Sequence, residues 1–301
     1  MTDNTSRSNI GAITALLIVQ AAFGTFPVIG KAALAYISSV ALVGFRVGIT
    51  AVVLFLFQRS RGDISLKYRE DYVKLAVLSL FGVTFNQLLF VGGLSFTKAS
   101  NTSLLAVTIP IFALFIGLYL GIEKLYARKI VGVIVAAAGV ILLIDPRNAS
   151  FSNETTLGDL MIVANSLSYG IYVATSKETI MRNGAVRSIT WIFLFAAAIC
   201  VPLGLVSIAQ ISVIELPLGI WIAILHAGLI GTAVPYILNA WALARVAPST
   251  VAVFIYLQPL IGFVTAVVFL GEQIGGNFII AAAAIFLGVF LVTKKRTASR
   301  N

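Results

Sequence analysis

Two halves of the chain carry similar residues in the same order. In the later part of each half, the equivalent pairs separated by 149 positions are Pro110 and Pro259, Glu123 and Glu272, and Gly139 and Gly288. Earlier in each half the separation is 146 positions, as for Lys31 and Lys177. A small slip between the two blocks is what a change in loop length produces. We therefore expect two copies of one structural unit, over residues 1–147 and 156–301.

Composition indicates that both copies lie in a lipid bilayer. Hydrophobic residues make up 59% of the 301 residues and charged residues only 11%, whereas a soluble domain carries about 25% charged residues. Apolar runs recur along the whole length, and a run such as 130–144 lacks the alternation that a β-barrel strand requires. The sequence predicts an all-α polytopic membrane protein.

Each copy contains five apolar stretches that suit transmembrane helices, because crossing about 30 Å of hydrocarbon takes roughly 20 helical residues. The ten predicted spans are 10–30, 39–57, 72–92, 101–121, 128–144, 158–176, 187–208, 218–242, 249–270 and 277–293. Because five is an odd number, the second copy is expected to enter the bilayer with the opposite orientation. Inverted repeats of this kind are typical of transporters that work by alternating access.

Lysine and arginine residues predict the orientation of the bundle. Of the 21 such residues, seventeen fall on the side of the N-terminus, and three (Lys31, Lys98 and Arg147) fall on the other side. The remaining residue, Arg46, lies within a predicted span. By the positive-inside rule, both termini are expected in the cytoplasm. This distribution accounts for the net charge of +10, so no nucleic-acid partner is expected.

Polar side chains within the spans are candidates for a solute-binding cavity, because placing them in lipid without a partner is costly. On the sixth span, Asn165, Ser168, Tyr169 and Tyr172 share one face at helical spacing. Two tyrosines beside an amide offer a flat stacking surface together with hydrogen bonds. The same stripe would also suit hydrogen bonding between neighbouring helices.

Similar polar and aromatic positions occur on other spans. The candidate substrate contacts are Gln20, Phe23, Asn86, Gln87, Thr108, Asn165, Tyr169, Tyr172, Tyr236, Asn239, Tyr256 and Gln258. Pro235 in the eighth span cannot donate its backbone hydrogen bond, so that helix is expected to kink beside a cavity or for packing alone. Pro110 and Pro259 occupy equivalent positions in the fourth and ninth spans, where bendable helices and packing kinks fit equally. These three prolines are the candidate gating residues.

Arg46 lies well inside its span, whereas every aspartate and glutamate lies near a helix end or in a loop. It would either bind a substrate carboxylate or brace the bundle by bonding to backbone carbonyls. Coupling of transport through a carboxylate at mid-depth is not expected. His226 lies near a helix end, and we expect it to be hydrogen-bonded rather than proton-coupling. The sequence contains no recognisable catalytic, metal-binding or cofactor motif, so we expect neither an enzyme nor a cofactor.

Each copy contains a proline-bearing helix followed by a glutamate, in the segments IPIFALFIGLYLGIEKL and LQPLIGFVTAVVFLGEQIG. With ten spans in two halves, these segments resemble the drug/metabolite transporter superfamily, most closely its ten-helix EamA type and the bacterial aromatic amino-acid and drug exporters. The resemblance covers nearly the whole chain. It implies a central cavity lined by the first, third, fourth, sixth, eighth and ninth helices. Arg46 resembles an arginine of the second helix in such repeats, which favours bracing, and the second copy has Ile192 in its place.

The expected function is export of small metabolites across the inner membrane, above all aromatic or neutral amino acids and also amphiphilic drugs. An exchanger of nucleotide sugars or phosphorylated metabolites is an alternative, although it would need several cationic residues in its cavity. A non-transporting sensor or scaffold is a second alternative, and its polar stripes would pack without a cavity. The expected partners are a small-molecule substrate and the lipid bilayer. The sequence leaves the oligomeric state open.

Overall fold

The computed structural model describes residues 2–97, 99–144, 152, 154–208, 216–261, 264 and 277–294. Within these ranges all regular secondary structure is helical, so the prediction of an all-α fold is confirmed. Most of the segment between the halves, 145–157, lies outside the described residues. Glu272 and the second part of the ninth predicted span lie outside them as well.

The first half consists of helices joined by short connections. Its helices are α1 (Thr2–Leu34), α2 (Ser39–Arg61), α3 (Arg69–Ser79), a first π-helix (Leu80–Thr84), α4 (Phe85–Phe96), α5 (Ala99–Leu105), α6 (Thr108–Tyr119) and α7 (Ala127–Ile144). Helix α3, the π-helix and α4 form one continuous segment of 28 residues. A π-helix widens one turn of an α-helix and is frequent at functional sites.

The second half follows the same plan. Its helices are α8 (Thr156–Thr175), α9 (Lys177–Asn183), α10 (Ala185–Ile208), α11 (Leu218–Gly228), a second π-helix (Leu229–Ala233), α12 (Val234–Leu243), α13 (Pro248–Val253), a 3₁₀ helix (Phe254–Tyr256) and α14 (Asn277–Thr293). Residues 257–261 are also helical. The two π-helices begin 149 positions apart, which is the offset of the sequence repeat.

The lengths and apolar character of these helices match a multi-pass membrane protein. The described segments long enough to cross a bilayer are Ser39–Arg61, Arg69–Phe96, Thr156–Thr175, Ala185–Ile208 and Leu218–Leu243. Shorter apolar helices are Ile10–Gly24, Thr108–Tyr119, Pro248–Ile261 and Phe278–Thr293. The tenth predicted span has the bounds of α14, and the fifth begins one residue after α7 does. The fourth predicted span is instead divided between α5 and α6.

Contacts between the halves occur in pairs related by the sequence offsets. Gly82 faces the ring of Tyr172, and at the equivalent positions Gly231 faces the ring of Phe26. The approach at Gly82 requires glycine, because a Cβ there would lie 2.5 Å from the Tyr172 ring. Helix α2 packs on α10, and α7 packs on α14. The two halves therefore meet through similar contacts on each side of the bundle.

Equivalent residues also touch each other directly. The side-chain amide of Gln87 donates to the hydroxyl of Tyr236 at 3.3 Å, and these residues are 149 positions apart. The hydroxyl of Tyr256 donates to the Val107 carbonyl at 2.9 Å, again across 149 positions. A two-fold axis that relates the halves would pass close to both contacts, since each residue meets its own counterpart there.

One end of the bundle, the basic end, gathers the loops that the sequence assigns to the side of the N-terminus. Arg182 forms an ion pair there with the buried carboxylate of Asp71. Lys177 Nζ donates to the Val246 carbonyl at 2.6 Å, and burial lowers the pKa of Lys177. At the opposite end, the Thr97 hydroxyl donates to a carboxylate of the second half at 2.6 Å. Grouping these loops at one end requires an even number of crossings between them.

Candidate functional site

A cavity of about 90 Å³ lies in the middle of the bundle. Both halves contribute to its wall, through α1, α2, α4 and α6 of the first half and α8, α12 and α13 of the second. The lining residues are Gln20, Phe23, Phe26, Arg46, Asn86, Gln87, Phe90, Ala106, Ile109, Asn165, Tyr169, Tyr236, Asn239, Val251, Ile255 and Gln258. The wall is therefore a mixture of aromatic rings, carboxamides, aliphatic side chains and one guanidinium.

Nine of the twelve predicted substrate contacts line this cavity, and three do not. The Thr108 hydroxyl donates at 2.6 Å to the carbonyl three residues back in the chain. The Tyr256 hydroxyl donates to the Val107 carbonyl. Tyr172 packs its ring against Gly82. Each of these side chains is occupied by a contact within the bundle.

Two pairs of carboxamides connect the halves across the cavity. Asn86 Nδ2 donates to Asn165 Oδ1 at 2.7 Å, which joins α4 to α8. Gln258 Nε2 donates to Gln20 Oε1 at 2.7 Å, which joins the segment after α13 to α1. Each pair satisfies polar groups that would otherwise be buried without partners. These bonds hold the two walls of the cavity together in this conformation.

Tyrosine hydroxyls extend this network towards the second half. Asn239 Nδ2 donates to the Tyr169 hydroxyl at 2.7 Å. The Tyr236 hydroxyl lies 3.0 Å from the Gly82 carbonyl and 3.1 Å from Asn86 Oδ1. The Phe23 ring packs edge-on against Tyr236, with centroids 6.0 Å apart. The site thus combines aromatic surface with hydrogen-bonding groups that can change partners.

Arg46 is the charged member of the cavity wall, and only 2% of its surface is exposed. Its Nε donates to Thr232 Oγ1 at 3.1 Å, and its Nη2 donates to the Gly231 carbonyl at 3.3 Å. The guanidinium carbon lies 3.7 Å from the centroid of the Phe26 ring. These contacts show the bracing interaction that was one of the two interpretations of the sequence. Arg46 also lines the cavity. The candidate substrate contacts did not include it, although binding of a substrate carboxylate was the other interpretation.

The three candidate gating prolines each adjoin an irregular helical segment. Pro110 has no N–H for the Ala106 carbonyl, which accepts instead from the Ile109 amide at 3.1 Å where α5 and α6 meet. Pro259 follows the 3₁₀ helix at the equivalent place, and Pro235 follows the second π-helix. The backbone is therefore irregular next to each position where bending was predicted. Their role in gating stays a prediction.

A carboxylate at the basic end connects the two halves a second time. Glu123 Oε1 accepts from the Ser249 amide at 2.6 Å, and Oε2 accepts from the Ser249 hydroxyl at 2.7 Å. Lys129 forms an ion pair with the same carboxylate. Since Ser249 lies at the start of α13, Glu123 of the first half caps a helix of the second half.

Other polar groups lie away from the cavity. A larger recess of about 730 Å³ at the basic end is lined by loop and helix-end residues, including Arg128 and Lys294, and by none of the predicted substrate contacts. His226 is outside the cavity wall, and its Nδ1 has no hydrogen-bond partner in the described part of the chain. Among the described residues, no group of three or more His, Cys, Asp or Glu side chains is placed to hold a metal ion.

The sequence model of the EamA-like transporter family matches residues 9–145 and again residues 156–294. The chain belongs to the EamA-like transporter family. Both matches together cover nearly the whole of this EamA-like protein, and they divide it close to the boundary between the halves. The family assignment makes it a multi-pass membrane protein of a transporter family, as the resemblance of the sequence implied.

Individual relatives agree with the family. The EamA-like chain is 26% identical to an uncharacterized transporter of Archaeoglobus fulgidus, over 75% of this chain and 78% of the relative. It is 24% identical to the uncharacterized transporter YoaV of Bacillus subtilis, over 83% and 85% of the two chains. A WAT1-related protein of Arabidopsis thaliana is 24% identical over 93% of this chain and 80% of the relative. One crystal structure shares the fold with a TM-score of 0.79 at 19% identity, over 96% of both chains.

Proposed function

We propose that this EamA-like protein exports small metabolites across the inner membrane, above all aromatic or neutral amino acids and also amphiphilic drugs. The observation that carries the proposal is the cavity in mid-bundle, with aromatic and carboxamide walls drawn from both halves. Apolar surface with a few convergent polar groups is the usual composition of a small-molecule site. An amino acid with a flat side chain can use both parts of this wall.

Transport would proceed by alternating access, with the two halves moving around the cavity as inverted repeats. The paired contacts at Gly82 and Gly231 support a two-fold relation between the halves. The basic end would face the cytoplasm together with both termini, because lysine and arginine concentrate on cytoplasmic loops. The irregular segments next to Pro110, Pro235 and Pro259 would absorb the bending.

The described conformation is contracted around the site. Its cavity of about 90 Å³ is smaller than the roughly 300–1,000 Å³ of typical ligand pockets. Entry of a solute would separate the Asn86–Asn165 and Gln20–Gln258 pairs and replace their hydrogen bonds with bonds to the solute. Because polar groups exchange one partner for another, the cost of opening is moderate.

The two rival functions make different demands on this cavity. A phosphorylated substrate would call for several cationic groups, whereas Arg46 is the one charged residue among those that line it. A sensor or scaffold would give no flux of any solute.

Reconstitution into liposomes tests the proposal directly. Liposomes that contain the purified protein are loaded with labelled tryptophan, phenylalanine, threonine or a cationic dye. Flux is then measured with and without a pH gradient. We expect saturable flux of at least one amino acid above the rate of protein-free liposomes. Absence of flux for every solute would contradict the proposed function and favour the non-transporting alternative.

A further inference from the structure

The cavity contains a fixed positive charge that no acidic side chain of the described residues balances. Arg46 is 2% exposed, and every other residue of the cavity wall is uncharged. Among the residues that the structure describes, no carboxylate lies within ion-pair distance of this guanidinium. The buried carboxylates that do form ion pairs, Asp71 and Glu123, pair with Arg182 and Lys129.

The guanidinium is held in place but is not fully used. Nε and Nη2 donate to Thr232 and to the Gly231 carbonyl, and the Phe26 ring supports one face. The third nitrogen, Nη1, is buried and has no hydrogen-bond partner among the described residues. Bracing of the bundle therefore explains two of the three nitrogens. The remaining donors belong to a side chain that lines the cavity.

A buried charge without a counter-ion is costly, and the cost falls when an anion pairs with it. A carboxylate suits this position, because guanidinium–carboxylate hydrogen bonds are charge-assisted and directional. One arginine provides one anionic position, which is enough for a carboxylate and poor for a phosphate ester. A neutral amide could accept a hydrogen bond from Arg46 but would not neutralise its charge, so it gains less than a carboxylate. A cation would be repelled.

We propose that the solute carried by this protein bears a carboxylate that binds Nη1 of Arg46 within the cavity. This inference rests on the proposed transport function and narrows its substrate class to amino acids and related aryl carboxylic acids. The apolar part of the solute would then lie against the aromatic wall that includes Phe23 and Phe26. Cationic amphiphilic drugs become poor substrates.

The test compares solutes that differ only at the carboxylate. Inhibition of labelled phenylalanine flux is measured with 3-phenylpropionate, with 3-phenylpropionamide and with phenethylamine. For the wild-type protein, we expect half-inhibition by the acid at a concentration at least about tenfold lower than by the amide or the amine. Three variants are measured in parallel: Arg46→Gln, Arg46→Lys and Thr50→Val.

The variants separate charge recognition from bracing. Arg46→Gln keeps a donor for the Gly231 carbonyl but loses the charge, so the acid and the amide should inhibit within about twofold of each other. Arg46→Lys keeps the charge and should retain most of the preference. Thr50 donates to the Gly228 carbonyl at 2.8 Å and is absent from the cavity wall. Thr50→Val therefore weakens the packing of α2 against the segment that Arg46 also contacts. It should keep the wild-type ratio of inhibition by the acid and the amide.

Failures of the two proposals can be told apart. Flux of phenylalanine with equal inhibition by acid, amide and amine in the wild-type protein would overturn the carboxylate inference and leave transport intact. Unchanged preference in Arg46→Gln would overturn it as well. If Arg46→Gln does not fold, the wild-type ratio and the lysine variant still decide. No flux of any solute would overturn the transport function itself.

Discussion

Arg46 Nη2 donates to the carbonyl of Gly231 at 3.3 Å, and that carbonyl is the one that Pro235 cannot satisfy. In an α-helix the carbonyl of Gly231 would accept from the amide four residues later, but proline has no N–H. A side chain from the first half thus donates to a carbonyl that a regular α-helix would leave without a backbone donor. The contact lies within the second π-helix.

The first π-helix has a matching contact in the opposite direction. The Tyr236 hydroxyl of the second half lies 3.0 Å from the carbonyl of Gly82, which is equivalent to Gly231. Each widened turn is therefore stabilised by a polar side chain from the other half. Movement of one half relative to the other would break or remake both contacts, so the π-helices are suited to act as hinges.

Removal of the Arg46 side chain should destabilise the protein, because the Gly231 carbonyl loses a hydrogen-bond donor. We expect Arg46→Met to cost about 1–3 kcal/mol of unfolding free energy, because a buried acceptor loses its donor. In a Pro235→Ala background the new backbone N–H can serve that carbonyl, so the cost should fall by about 1 kcal/mol. Denaturant titration in detergent measures both values. Equal costs in the two backgrounds would contradict this assignment.

Alanine at the two equivalent glycines should have unequal effects. A Cβ at Gly82 would lie 2.5 Å from the Tyr172 ring, whereas one at Gly231 would lie 3.3 Å from the Phe26 ring. We expect Gly82→Ala to cost about 1–3 kcal/mol through overpacking, and Gly231→Ala to cost less. Thermal unfolding of both variants checks the order. A larger loss of stability for Gly231→Ala than for Gly82→Ala would contradict the predicted order.

Glu123 should stabilise the basic end by capping α13. Glu123→Ala leaves the Ser249 amide without its acceptor, so we expect a loss of about 0.5–2 kcal/mol, the range for lost helix caps. Glu154 is exposed in the segment before α8, and Glu154→Ala serves as the matched loss of a carboxylate, with no expected change. Unfolding midpoints of the two variants are compared at constant pH. Identical unfolding midpoints for Glu123→Ala and Glu154→Ala would contradict the capping role of Glu123.

Cavity residues should affect flux more than abundance. We expect Tyr169→Ala and Asn239→Ala each to lower amino-acid flux several-fold while membrane abundance stays within about 20% of wild type, because their bond at 2.7 Å shapes the cavity wall. Tyr72 accepts from the Leu66 amide at 3.0 Å and is absent from that wall, so Tyr72→Phe is the matched control. Normal flux in both alanine variants would refute the cavity assignment.

Helical periodicity predicted the cavity residues of α8 because they lie on one face of a regular helix. Asn165 and Tyr169 are one turn apart on α8, and both reach the cavity. Tyr172 continues the same stripe, but it packs on Gly82 of another helix. A stripe on one helix carries no information about a glycine opposite it, so this contact could not be read from periodicity.

The irregular segments limited the prediction of both helices and site. The fourth span was expected to be continuous, but it breaks one turn before Pro110, where the Ala106 carbonyl loses its usual donor. The proline signalled a bend without giving its position. The widened turns at the π-helices also change which residues share a face. The sequence left Arg46 between substrate binding and bracing, because its position depends on contacts with Phe26 of α1 and with the second π-helix.

Access of water to the cavity is the most direct test of the account, and a cysteine at Asn86 can report it. The Asn86→Cys variant is prepared in a Cys200→Ala background and treated with a membrane-impermeant thiol reagent in right-side-out and inverted vesicles. A Ser60→Cys variant, at an exposed position, serves as the labelling control. We predict labelling of the Asn86→Cys variant from each side, and protection by a transported amino acid. Absence of labelling from both sides, while the Ser60→Cys variant reacts, would contradict a cavity that opens alternately to the two faces of the membrane.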